Sequence, residues 1–311
     1  MHCNNQIRTI CRVVHENRAP EISTVNLTVD IQQRRIIFMK TIKYLTVFCM
    51  MICMIMQLNI NVSANENNIC YVAHRGYTKY APENSIPAFE AAGKEGFQAV
   101  ECDIHETAKD KKGKRRFVIM HDQTLNRMCG LSGKNVYQKK LTYKKIRSKY
   151  HIKTGNNIES YTKKQLRIPS LEEYLSICKR YHMKPVIEIK QKMKKDTIKR
   201  LYQSLKKAKM QNQAVVTCKY KQQLTYMRKY TRKMPLEYVR HDFTQNDLSW
   251  MKKYHINVSI NKNILSDDMI QLFERNNIKI NIWTINNKDQ LYNFTNKGIK
   301  IVTSDDALWK E

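Results

Sequence analysis

From residue 70 onward, short apolar runs alternate with longer amphipathic stretches, and no other feature limits the fold as tightly. Strand-like runs cover residues 70–74, 97–103, 116–121, 185–190, 213–218, 235–239, 256–260, 278–283 and 299–303. Helix-like stretches cover 84–93, 141–149, 170–182, 194–209, 219–231, 244–254, 266–276 and 287–296. Strands that take turns with helices run parallel, because each return needs a crossover long enough to hold a helix. The expected fold is α/β, a single (β/α)8 TIM barrel. Nine strand candidates exceed that ring by one, so one of them lies outside it.

Local signals agree. Asn84 is placed to cap the first helix, Pro87 fits its first turn, and Gly93 or Gly96 ends it. Ser170 and Glu173 form a capping box for the helix carrying Leu171, Tyr174, Leu175 and Cys178. Residues 123–168 are the longest stretch between strands, polar and with one short helix, and a loop of this kind tends to cover a barrel's active site.

The N-terminal part reads differently. Residues 1–38 show no period and no apolar face, as in a disordered leader or a mis-annotated start. Arg34-Arg35 stand three residues before Met39, where a translated ribosome-binding site would appear, so Met39 is the expected true start. Residues 39–64 read as a signal peptide: a basic Met39-Lys40-Thr41-Ile42-Lys43, an apolar run from Leu45 to Leu58, then Val62-Ser63-Ala64. The apolar run is shorter than the ~20 residues of a membrane span; the alternative is an uncleaved N-terminal anchor. Either way residues 65–311, the expected catalytic domain, would be extracellular or in the cell envelope.

The chain carries 56 Lys and Arg against 27 Asp and Glu, a formal charge of +29. The excess is spread along the chain, which favours anionic partners without choosing among them. The basic runs lack the interleaved aromatics of a nucleic-acid stacking platform, so no nucleic-acid partner is expected. An anionic envelope surface or a polymer of the teichoic-acid type suits the charge equally. Cys70, Cys102, Cys129, Cys178 and Cys218 follow the leader. Odd in number and without a CxxC, they argue against a disulfide framework or zinc site.

The chemistry concentrates in four strands. Phe97, Ala99, Glu101 and Asp103 share one face of their run, while Val100, Cys102 and Ile104 share the other. The apolar face suits packing under helices, which turns Glu101 and Asp103 into the barrel near the end where barrel enzymes place catalysis. Likewise Ile187 and Ile189 face outward, and Glu188 and Lys190 inward. Buried charges are costly unless paired or bound to metal. Three converging carboxylates make a hard oxygen site for Ca²⁺ or Mg²⁺; the alternative is an ion pair of Lys190 with Glu101 or Asp103. His74 and His121 end strands from which they could reach the same mouth.

Taken together, His74-Arg75-Gly76, Pro82-Glu83-Asn84-Ser85, Phe89, Glu101-x-Asp103, His121-Asp122-x-x-Leu125-x-Arg127, Ile168 to Glu173, Glu188-Ile189-Lys190, Trp283-Thr284-x-Asn286 and Gly298-x-x-x-Val302-Thr303 resemble the glycerophosphodiester phosphodiesterases. The resemblance covers nearly all of residues 70–308. It implies a barrel of the phosphodiesterase and phospholipase C-like type that cleaves glycerophosphodiesters to glycerol 3-phosphate and an alcohol. It casts His74 and His121 as the acid–base pair, Glu101, Asp103 and Glu188 as metal ligands, and Arg75 as the phosphate-binding residue. Lys190 and Trp283 would line the substrate pocket, and Glu83 would support the His74-Arg75 loop. Attack by a glycerol hydroxyl, through a cyclic phosphate, and direct attack by water both stay open. Two departures stand out: a long basic link from Ile104 to Gly113, whose His105 is expected at the surface and is a minor candidate for the site it lies beside, and Thr303-Ser304-Asp305-Asp306 where the family more often has Thr-Asp before a proline. Competing readings are a phospholipase acting on intact lipid and a non-catalytic basic envelope-binding protein.

Overall fold

Eight of the nine strand-like runs close into a parallel ring. In this computed structural model, which describes residues 33–46, 48 and 69–310, the strands are β1 (Cys70–Ala73), β2 (Ala99–Glu106), β3 (Phe117–Ile119), β4 (Lys184–Ile189), β5 (Val215–Cys218), β6 (Leu236–Arg240), β7 (Asn257–Asn261), β8 (Ile280–Trp283) and β9 (Ile301–Ser304). Their order is β1-β9-β8-β7-β6-β5-β4-β2, and β1 pairs with β2 to close it. The surplus strand is β3, which pairs antiparallel with the far end of β2. The cause is local: β2 runs three residues past Asp103, and that overhang, Ile104 to Glu106, leaves a free edge for a hairpin.

All eight expected helices form, with ends shifted by a few residues: α1 (Ile86–Glu95), α3 (Tyr143–Lys149), α4 (Leu171–Arg180), α5 (Lys195–Ala208), α6 (Lys221–Arg228), α7 (Gln245–Tyr254), α8 (Asp267–Arg275) and α9 (Lys288–Asn296). A short α2 (Asn126–Cys129) was not anticipated. The Ser170 capping box is present, and Gly96 ends α1 in the left-handed conformation at φ 96°. Asn84 does not cap α1. Ser85 does, accepting from the Ala88 N–H, which frees Asn84 for the site described below.

The main core lies between the ring and its helices and takes the outward residues Val100, Cys102, Ile104, Ile187 and Ile189. A small separate cluster, Val72, Ala99 and Val186, fills the N-terminal part of the interior. Phe97, expected inward, precedes β2 and packs outward against Trp309 with centroids 4.6 Å apart. The five described cysteines are free, and four of them are buried.

Residues 123–168 are not an open polar loop. Leu125, Met128, Cys129, Ile146, Ile152, Leu166 and Ile168 close a second apolar cluster with Val118 and Met120 of the β3 arm. The segment is latched to the β1–α1 loop by Asn156, which donates to the Thr78 carbonyl at 2.9 Å, and by Asn157, which donates to that of Tyr80 at 2.8 Å. Gly155 is required at this contact, because a Cβ there would sit 2.6 Å from Pro82.

By its contacts the chain separates into residues 1–66 and 67–311. In the first unit residues 33–46 are helical, and their side chains are exposed. Most of the signal-peptide reading, including Val62-Ser63-Ala64, falls outside the described residues, as do residues 1–32. Among the described residues no helix is long and apolar enough to cross a membrane.

Candidate active site

The ring's register brings acids into contact that a solitary strand would keep apart. Asp103 on β2 stands directly opposite Glu188 on β4. One ligand oxygen from each of Glu101, Asp103 and Glu188 lies within 4.8 Å of the others. Like charges placed this way repel, and the surroundings answer with cations. Lys190 Nζ donates to Glu188 Oε1 at 3.0 Å and lies 3.4 Å from Asp103 Oδ1. The expected choice between an ion pair and a converging acid site thus resolves as both together. Asp103 is buried, which alone would raise its pKa, but Lys190 and Arg75 hold it below the ordinary value. Glu101 goes the other way: burial and then the Asp103 and Glu188 carboxylates push it well above. Its Oε2 accepts the Arg75 N–H at 2.9 Å, while its Oε1 is buried with no hydrogen-bond partner among the described residues.

The loop after β1 supplies His74 and Arg75. Arg75 adopts φ 59°, a left-handed conformation costing an ordinary residue about 1 kcal/mol, and this aims its N–H at Glu101. Asn84, also left-handed at φ 53°, clamps the loop: its N–H donates to the Arg75 carbonyl, and its side chain donates to Asp103 Oδ2 at 2.7 Å. Gly76 must be glycine, since a Cβ would lie 2.6 Å from Ala88. The Arg75 guanidinium lies 3.1 Å from Glu83 and 3.5 Å from Asp103. His74 Nδ1 pairs with Asp305 Oδ1 at 2.8 Å. An ionised carboxylate only accepts, so a ring proton sits on Nδ1, which leaves Nε2 as the nitrogen turned away from Asp305. Asp305 is half-buried, which alone would raise its pKa, yet its bonds from His74, Asn286 and Thr78 pull it down to about 2.

His121 arrives by a different route from the one its strand-like flank suggested. It follows β3, outside the ring, and the antiparallel turn carries it back to the mouth. The Met120 N–H donates to the Asp103 carbonyl at 2.9 Å. His121 Nδ1 pairs with Asp122 Oδ1 at 2.8 Å, so both imidazoles share one tautomer. Asp122 is held by Arg127, whose hydrogen bond is the main cause of a pKa lowered to about 2. Arg127 also reaches Glu83 at 2.6 Å, and Glu83 reaches Arg75. Glu83 therefore joins the two histidine loops through two arginines, which is more than support for one of them.

A model of the glycerophosphoryl diester phosphodiesterase family matches residues 74–308, almost the whole barrel. The chain belongs to this family. The chain is 29% identical over 131 residues to mouse glycerophosphodiester phosphodiesterase 1, covering 42% of this chain and 37% of that protein's length. It is 23% identical over 260 residues to the bovine protein of the same name, covering 72% and 74%. Among solved structures, a phosphodiesterase of Oleispira antarctica, in complex with the product sn-glycerol-3-phosphate, superposes with a TM-score of 0.66 at 20% identity. That likeness covers 76% of this chain and 92% of the other, and it establishes the barrel fold.

The donor set suits a hard divalent cation. Three carboxylates converge, and Glu101 Oε1 is a buried acceptor with nothing to accept, a costly arrangement unless a ligand completes it. Among the described residues, Glu101, Asp103 and Glu188 could hold such an ion. Trp283 ends β8 with its ring edge-to-face on His241, centroids 4.8 Å apart, and its indole N–H is buried without a partner. Two cavities adjoin the histidine loops. One, of about 620 Å³, is lined by His74, Arg75, Thr78, Lys79, Glu83 and Asp305 among others. The other, of about 230 Å³, is lined by His105, Gln123, Lys139, Gln191, Lys192 and Tyr220. Trp283 lines neither.

Two residues were undervalued from sequence. His105, expected at the surface, is 2% exposed and sits beside Gln191 and the His121 carbonyl. The signal was available, because 101, 103 and 105 share one strand face. Asp305 was visible only as a departure from the family pattern, and its contact with His74 spans 231 residues of sequence.

Proposed function

We propose that this phosphodiesterase hydrolyses glycerophosphodiesters to glycerol 3-phosphate and an alcohol, with His74 and His121 as the acid–base pair. One observation carries the reading: two imidazoles in the same carboxylate-held tautomer flank an acid cluster whose Glu101 Oε1 lacks a partner. The product found in the Oleispira antarctica relative supports the substrate class.

Each side chain has a task in this scheme. A histidine with its proton on Nδ1 presents Nε2 to take a proton from the attacking hydroxyl. The other, protonated at both nitrogens, gives its Nε2 proton to the leaving alkoxide. Asp305 and Asp122 hold the rings in that orientation and stabilise the charged forms. Arg75, fixed on Glu83 and Asp103, brings a permanent positive charge to the phosphate. Lys190 offsets the acid cluster between turnovers. Glu101, Asp103 and Glu188 would hold Mg²⁺ or Ca²⁺, which when bound neutralises charge on the nonbridging phosphate oxygens. An intact phospholipid is a poorer fit. Among the described residues 69–310, the large exposed apolar side chains are Tyr80 and Tyr292, too few for an apolar rim.

The proposal extends to place and polymer. Residues 39–64 would export or anchor a catalytic domain of residues 65–311, which holds most of the chain's net charge of +29, and that charge would keep it near an anionic envelope or a glycerophosphate polymer. The test is release of glycerol 3-phosphate from glycerophosphocholine, with and without EDTA. His74→Ala and His121→Ala should each lower kcat by roughly 10²- to 10⁴-fold. Activity unaffected by chelation overturns the metal assignment. Failure to turn over any glycerophosphodiester overturns the whole reading. An exported protein whose N-terminus precedes Met39 overturns the export scheme.

A further inference from the structure

We propose that the smaller mouth cavity receives the alcohol half of the substrate and selects alcohols that carry an anionic group of their own. The inference rests on the phosphodiesterase reading and adds a substrate class to it.

One cavity is lined by His74 and the other lies by the His121 arm, and they differ in how their charges are spent. On the His74 side nearly every charge is matched within the wall: Arg75 with Glu83, Lys79 with Asp306, His74 with Asp305. The His121-side cavity has no carboxylate in its wall. Its cations are Lys139 and Lys192, and among the described residues neither has a carboxylate partner. Their contacts are aromatic instead. Lys192 Nζ stands 5.5 Å from the Tyr220 ring centroid and Lys139 Nζ 5.9 Å from that of Tyr137. A ring face orients an ammonium without neutralising it, so both charges remain available to an anion.

The wall is also built, since each lysine adjoins a buried anchor. Gln138, fully buried beside Lys139, donates to the Asp122 carbonyl and ties that turn to the His121 arm. The Met193 N–H, beside Lys192, donates at 3.1 Å to the buried Gln223. The floor is His105, which contacts the His121 carbonyl at 3.3 Å, so the cavity abuts a catalytic histidine. Gln191 and Lys192 directly follow Lys190. At about 230 Å³ the space lies below the size of a drug-like pocket and suits a small polar group. Glycerol itself is uncharged, so an anion filling this cavity belongs to the alcohol: a phosphorylated polyol, whether the next unit of a glycerophosphate chain or a phosphoinositol headgroup.

Four diesters would be compared as substrates of the full-length protein: glycerophosphocholine, glycerophosphoglycerol, the glycerol phosphate dimer ending in a phosphomonoester, and glycerophosphoinositol 4-phosphate. The expected result is a kcat/KM at least about tenfold higher for one or both phosphorylated alcohols than for the choline ester, in keeping with charge-assisted contacts. Which of the two leads identifies the source of the anion. In the Lys139→Gln/Lys192→Gln double variant that ratio should collapse toward one, and Lys192→Glu should invert it. A ratio is internal to each preparation, so partial misfolding, which lowers both rates, leaves it unchanged. Equal use of all four diesters, preference for choline, or a ratio indifferent to both variants overturns the subsite while leaving the phosphodiesterase reading intact. If no diester is cleaved, it is that reading that fails.

Discussion

Glu101 and Glu237 are both carboxylates buried in the same barrel, and they are treated in opposite ways. Glu237, on β6, lies toward the N-terminal end, where Asn281 donates to it at 3.0 Å and Thr303 in turn donates to Asn281 at 2.8 Å. Burial pushes its pKa up to about 7, against the opposing pull of the Asn281 hydrogen bond. Glu101 sits among two further acids and two cations, with one oxygen left unpartnered. A solitary buried acid can become neutral and serve as a polar peg. A cluster of acids held beside Arg75 and Lys190 keeps negative charge at a cost, and such a cost in a cleft points to a ligand.

The comparison can be broken by experiment. The largest effect should come from Glu101→Gln, which we expect to lower kcat by 10³-fold or more while leaving the melting temperature unchanged or raised, since a repulsive site is relieved. Glu237→Gln should change kcat less than about twofold, as it lies away from the reacting atoms. Equal losses in the two variants would erase the distinction. Next, saturating Mg²⁺ or Ca²⁺ should stabilise the wild-type protein by ~2.7 kcal/mol at one hundred times Kd, read as a rise in Tm. The same addition should do nothing for Glu101→Gln.

A smaller loss, roughly a hundredfold, is expected for Asp305→Asn, because an amide can hold the His74 ring in the wrong tautomer. The matching change at Asp122 should act alike. Loss in one variant only would show that the two histidines are not equivalently supported. The last test reads stability against pH. Glu237 in the folded protein keeps its proton up to about pH 7, against an ordinary value of 4.5. Between those values the unfolded chain gives up a proton that the folded protein retains, so stability falls as pH rises across the window, by about 3 kcal/mol in all, and is level above it. Denaturant titrations from pH 4 to 8 should show that slope in the wild type and a flatter one in Glu237→Gln.

Much of this was legible along the chain. Period-two alternation identified the strands and even the inward row of Glu101 and Asp103, because strand geometry obliges alternate residues to share a face. The capping box at Ser170 was equally local. Other elements escaped for a common reason. The antiparallel placement of β3 depends on β2 being longer than its neighbours in the ring, which no single strand reveals. The packing of residues 123–168 hides its apolar residues in an irregular pattern without period. Asn84 looks like a helix cap in its own neighbourhood, yet it spends its amide on Asp103.

The amino-acid sequence alone thus determined the order of strands and helices, the barrel class and the shared inward face of Glu101 and Asp103, since each follows from periodicity and motif over a few residues. Only the tertiary structure decided that Asp103 faces Glu188, that His74 rests on Asp305, that Arg127 and Glu83 connect the two histidine loops, and that uncompensated lysines collect beside His121. Those arrangements depend on register and ring closure between segments distant in the chain, and through-space electrostatics has no counterpart in linear order.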